Sequence, residues 1–184
     1  MAVKSIAIDI NDTLRDNLYQ FRRIYQKHID PSFEIELEDI DDFDLYKGDD
    51  GCDTGIETQT HVTLVPCLDN NVCIDDVKQH LEPLHKYTIF LNNISSFNKE
   101  EYDVLKCDAQ CDFLHMTNKK IREFFPSYSE YQDYHPHLTI AYLNKGVCDK
   151  FCKEILTPLV VLKPKHFTFS WYDKNDEQQR ITFL

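Results

Sequence analysis

The chain has 184 residues, enough for one domain with a sizeable core, and its 42% apolar and 28% charged residues are globular rather than disordered composition. Its net charge of −12, from 32 acidic against 20 basic residues, argues against a broad surface for long nucleic acid but is compatible with a small nucleotide held by a few side chains. No apolar run approaches the ~18 residues of a membrane span, and no charged-then-apolar amino terminus marks a secretory signal. Seven cysteines, an odd number without secretory context, read as reduced cytosolic thiols. Cys107, Cys111, Cys148 and Cys152 form two C-x3-C pairs. Structural zinc sites use the tighter C-x2-C knuckle and both pairs sit beside expected helices, so no metal is expected.

Residues 4–10 read as a short buried strand. A helix follows over 11–28, with Leu14, Leu18, Phe21 and Ile24 at three- to four-residue spacing. The stretch 34–53 is acidic, then loop-like, with Gly48, Gly51 and the nearby Gly55 among the chain's four glycines, and is the best candidate boundary, dividing residues 1–50 from a main domain over 51–184. Beyond it, strands are expected at 60–66, 87–97, 102–108 and 137–143. Helices are expected at 74–84, 112–125 and 147–156, and a terminal hairpin is made of 160–172 and 180–183. Helices and strands interleave, yet the last pair is consecutive. That pattern fits an α+β domain with mostly antiparallel sheet better than a doubly wound one.

Four of the eight histidines begin an H-x-T triplet, namely His61, His115, His137 and His166, where chance gives about one. On a strand, side chains two apart share a face, so a His and a Thr look into one space while the residue between them enters the core. On a helix they diverge. His115 falls in the helix over 112–125 and is expected at the surface or at a cap. His166 opens a strand whose apolar face is Phe167, Phe169 and Trp171. His166, Thr168 and Ser170 then form the polar face of a hairpin, or else an accessory wall of the cleft. His61-Val-Thr63 and His137-Leu-Thr139 are both loop-to-strand entries, 76 residues apart, as an internally duplicated fold would show.

These two segments resemble the 2H phosphoesterase superfamily, and within it small phage-encoded members labelled 2′-5′ RNA ligase-like. The resemblance extends from about residue 44 to 144 and includes Asn93-Ile-Ser-Ser-Phe97 and Tyr102-Asp-Val-Leu-Lys106. It implies a bilobed α+β fold, with two mostly antiparallel sheets and flanking helices around a central cleft. It also implies a cytoplasmic phosphodiesterase acting on a small nucleotide or oligonucleotide: a 2′,3′-cyclic phosphate, a cyclic oligonucleotide or a 2′-5′-linked signalling nucleotide. For a phage protein the last would disarm a host defence signal. His61 and His137 would transfer protons, while Thr63 and Thr139 would donate to the phosphate oxygens, with no metal or other cofactor. Phe97, Tyr142 and Trp171 are candidates for base stacking and Lys145 for a phosphate contact. The competing reading is a module that sequesters a nucleotide without cleaving it, against which stand the intact His and Thr of both motifs.

Ile6 to Leu14 also looks like the opening of a haloacid dehalogenase-type phosphatase, with Asp9 as nucleophile. The second aspartate of that pattern is Asn11 here, which cannot act as a general acid. The simplest expectation is that residues 1–50 supply an edge strand and a helix to the main domain.

Overall fold

The structure is a computed structural model that describes residues 4–9, 26–27, 61–129, 133–152, 160–173, 175 and 177–184. The expected helix over 11–28, apart from helical residues 26 and 27, lies outside the described residues. So do the expected boundary at 34–53 and the residues Asn11, Asp12 and Thr13.

Among the described residues, eight strands carry the fold: β1 (Lys4–Asp9), β2 (His61–Leu68), β3 (Ile89–Asn98), β4 (Tyr102–Gln110), β5 (His137–Asn144), β6 (Val160–Leu162), β7 (His166–Tyr172) and β8 (Gln178–Phe183). Their hydrogen-bonded order is β6-β3-β4-β5-β2-β1-β7-β8, and each of these pairings is antiparallel. The sheet falls into two four-stranded halves, because β2 and β5 share only the register pair Val62↔Leu138. One H-x-T strand therefore forms the inner edge of each half. Helix α1 (Ile74–Lys78) is short. Helix α2 (Asp112–Phe124) lies against β2, buries Leu114 and Ile121, and donates from Asn118 Nδ2 to the Leu64 carbonyl at 2.6 Å.

Three expectations need correction. The helix expected over 74–84 ends at Lys78, since Pro83 has no N–H and disfavours helical geometry at Glu82; a separate turn of 3-10 helix follows at Leu84–Lys86. The strand expected over 160–172 is two strands. Pro164 interrupts it, β6 pairs with β3 at one edge of the sheet, and β7 pairs with β1 and β8 near the other. Residues 163–165 reach at most ~14 Å, whereas six strand spacings in a flat sheet cover ~29 Å; the sheet therefore curls strongly. Finally, β1 is no edge strand: it pairs with β2 on one side and β7 on the other. Of the helix expected over 147–156, Cys148–Lys150 forms a 3-10 turn and 153–159 lies outside the described residues.

Among the described residues, an apolar cluster runs through the fold, joining Ile6, Ile8, Val62 and Leu64 to Leu138, Ile140, Phe167 and Phe169. Burial alternates over residues 61–64 of β2 and 166–169 of β7, as period-two sequences on a one-sided sheet dictate. Burial pushes the Cys107 and Cys148 thiols up to about 12, so both are neutral core side chains. Among the described residues no helix is long and apolar enough to cross a membrane, and no three His, Cys, Asp or Glu side chains group as metal ligands would.

Candidate active site

The one register pair between the two halves joins the middle residues of the two H-x-T triplets. Val62 and Leu138 are buried, so the residues on either side of each turn to the opposite face of the sheet. Continued one residue either way, ideal antiparallel pairing would set His61 level with Thr139 and Thr63 level with His137. The two histidines are then diagonal neighbours, at a Cα spacing of ~7–8 Å that leaves room for a phosphate between their rings.

A cavity of about 340 Å³ opens beside this point. It is lined by Thr63, His137 and Thr139, by the aromatic rings of Phe97, Tyr102, Tyr134 and Tyr142, and by Asn118, Arg122 and Lys99. Its volume is at the small end for a ligand site. His61 lies outside the lining, yet close enough to His137 for its charge to disfavour a second charge there.

Burial is the main reason that His137 sits below the ordinary histidine pKa. The His135 carbonyl, 2.7 Å from Nδ1, opposes it; the charges of Lys106 and His61 add to the lowering, and Asp108 counters them. With Nδ1–H donating to that carbonyl, Nε2 is left as a proton acceptor. Phe97 meets the imidazole edge-on at 4.8 Å and 87°. Tyr134 donates to the Thr63 carbonyl at 2.9 Å, and burial raises its phenol far above the usual range, so it stays neutral.

The structure brings Thr63, His137, Thr139, Phe97 and Tyr142 together at the cavity and leaves Lys145 and Trp171 out of it. Lys145 instead bonds Asp103 Oδ1 at 3.0 Å and the Lys99 carbonyl at 2.6 Å, because a buried carboxylate competes for it. Trp171 is level with Lys4 on β7 and stacks at a tilt on Phe169, against the core. His115 is exposed on α2 and touches Tyr134 edge-on at 5.4 Å. Its replacement by alanine is expected to change stability by no more than ~0.5 kcal/mol and to leave turnover unchanged, as thermal melts and initial rates would show. On β7, Thr168 is 3.3 Å from the Thr182 hydroxyl and Ser170 is 2.8 Å from Ser5, as on a polar hairpin face. His166 and His61 are each level with Asp9, the last residue of β1.

Sequence reasoning passed over Asn118 and Arg122, although their four-residue spacing puts them on one helix face. It also passed over Lys99, Tyr102 and Tyr134, which reach the cavity from loops or a strand end and carry no periodic signal.

Two solved structures share the fold over nearly their whole length. They are TT0787 of Thermus thermophilus, with TM-score 0.53, 11% identity and coverage of 100% of this chain and 96% of that one, and Usb1 of Kluyveromyces marxianus, with TM-score 0.51, 9% identity and 98% coverage of each. Identities this low make the likeness one of fold. No curated protein sequence matches the chain. The profile of the 2′-5′ RNA ligase superfamily matches residues 29–176, which takes in both H-x-T strands and every residue lining the cavity. The chain belongs to that superfamily, the 2H phosphoesterases, whose members include RNA ligases and phosphodiesterases.

Proposed function

We infer that the protein is a phosphodiesterase that hydrolyses a small nucleotide without a metal ion. The observation that carries this reading is the Val62↔Leu138 register, which sets two imidazoles diagonally across one face with a threonine beside each. A phosphate between them has a proton acceptor on one side and a proton donor on the other, with two hydroxyls for its non-bridging oxygens. Burial disfavours the imidazolium of His137, which suits that residue to start neutral and take the proton from the attacking oxygen. His61 then protonates the leaving oxygen. The aromatic wall of the cavity suits one nucleoside unit, its base stacked against Tyr142 or Phe97. Substrates of this description are a 2′,3′-cyclic phosphate, a cyclic oligonucleotide and a 2′-5′-linked nucleotide. Cleavage of the last two would remove a signalling molecule.

The test is incubation of the pure protein with a panel of these nucleotides, followed by chromatography. Turnover of at least one is expected, at a rate unchanged by EDTA, since two imidazoles perform both proton transfers. Recovery of every nucleotide intact from a protein that retains one of them would replace hydrolysis with sequestration. Loss of the rate on chelation, with recovery on adding zinc or manganese, would overturn the metal-free chemistry.

A further inference from the structure

Lys106, on β4, is 6% exposed, a rare state for lysine unless its ammonium is paired. Its Nζ lies 2.5 Å from Asp108 Oδ1 and donates to Ser95 Oγ at 2.6 Å, while Ser95 Oγ donates to the same carboxylate oxygen at 2.9 Å. The bulge at Asn93, whose φ of 36° asparagine tolerates, shifts the β3 register so that Ser95 stands opposite Lys106. The ammonium also lies 4.5 Å over the ring of Phe97, the ring that meets His137 edge-on. In the β4–β5 register Asp108 is level with His137, and Lys106 with Thr139. Residues level across paired strands share a face, so the ion pair stands beside the second H-x-T motif, and neither charge lines the cavity.

A pair whose lysine is hidden and whose aspartate is 34% exposed adds little stability over a well-packed apolar one. What it does supply is one cation and one anion, fixed a strand away from the imidazole and acting on it in opposite senses. We propose that Ser95, Lys106 and Asp108 form a positioning and charge-setting group for His137, with Phe97 as the plate that transmits its geometry. Lys106 adds to the burial that disfavours the imidazolium and clamps Phe97 against the ring. Asp108 prevents that effect from going so far that His137 loses its basicity, and Ser95 holds the pair in register. The role in catalysis rests on the reading of His137 as proton acceptor. The charge-setting itself does not.

Other groups face His137 as well. His61 faces it from β2, Arg122 from α2 and Lys99 from the β3–β4 turn, with Asp133 and His135 on the segment before β5. The test therefore changes the β4 charges alone and reads His137 directly. Its imidazole resonance, assigned by comparison with His137→Asn, is titrated by NMR in the wild type, Lys106→Met and Asp108→Asn. The midpoint is expected to rise by ~1 pH unit in Lys106→Met, which removes a repelling cation and leaves Asp108 unbalanced, and to fall in Asp108→Asn, which leaves the cation unbalanced. Lys106→Arg, which keeps the charge, should restore the wild-type value. The acid limb of kcat should move with the NMR midpoint.

If Lys106→Met fails to fold around its orphaned carboxylate, the double variant Lys106→Met, Asp108→Leu removes both charges. The difference between it and Asp108→Asn then isolates the cation, and the midpoint in the double variant should be the higher. An unchanged His137 midpoint in folded Asp108→Asn and in Lys106→Met or the double variant would overturn the proposal. Shifted midpoints together with full activity in His137→Ala would instead leave the charge-setting group standing and overturn the hydrolytic role of His137.

Discussion

Replacing His137 with alanine is expected to lower kcat about a hundred- to ten-thousandfold, with a comparable loss for His61→Ala. Each removes one of two proton transfers at the same phosphate. Because the pair acts as a unit, the double variant should be little slower than the worse single one. Both side chains are only partly buried, so melting temperatures should change far less than rates. Thr63→Ala and Thr139→Ala should cost less, about 1–3 kcal/mol of barrier for each lost donor.

The pH profile gives the sharper reading. A base must be neutral to act, so the rate falls as pH drops through its pKa. Since burial holds His137 below the ordinary value, that acid limb should lie below pH ~6.5. The alkaline limb reports loss of the proton on the donor, and the two midpoints belong to the coupled pair. Steady-state and single-turnover kinetics on the best substrate of the panel would measure both. A His137→Ala enzyme within about tenfold of the wild-type kcat, or one that kept the acid limb, would sink the paired-imidazole mechanism.

Lys145→Met is expected to destabilise the fold by about 3 kcal/mol, the low end of the cost of breaking a buried pair. Asp103 is 1% exposed, and its carboxylate accepts from Lys145 Nζ at 3.0 Å and from the Gly146 N–H at 2.6 Å. Removing the ammonium leaves a buried anion with one backbone donor from that turn. The low end applies because the Lys145 side chain is 49% exposed, so water already screens the pair. Urea unfolding would measure this, and KM for the best nucleotide should stay within about twofold, since the side chain is held by Asp103 and does not line the cavity. A large rise in KM with unchanged stability would return Lys145 to the phosphate. The same comparison bears on how the loop after β5 is held: Gly146 has a φ of +84°, which suits glycine, and its N–H is one of the two groups that satisfy Asp103.

How much of this could be read from residues alone depends on the range of the forces involved. Alternation along 61–64 and 137–140 is a local property, and it alone determined that each His shares a face with its Thr while Val62 and Leu138 go inward. The apolar residues Leu114 and Ile121 likewise pointed to a helix over 112–125, observed as Asp112–Phe124, and with it to the exclusion of His115 from any strand face. Which strands lie side by side is set by pairing across long sequence distances, and no local pattern carries it. Only the tertiary structure could set Val62 level with Leu138, split 160–172 at Pro164 between two distant parts of a curled sheet, and place β1 inside that sheet. Charges behave in the same way. Lys106 and Lys145 are indistinguishable in sequence, each a lysine in or beside an expected strand. Burial beside Asp108 puts one next to the second H-x-T motif, while a hidden carboxylate, Asp103, holds the other outside the cavity lining. Electrostatic partners are chosen by three-dimensional proximity in a medium of low dielectric, a property that no single residue or its neighbours in sequence possess.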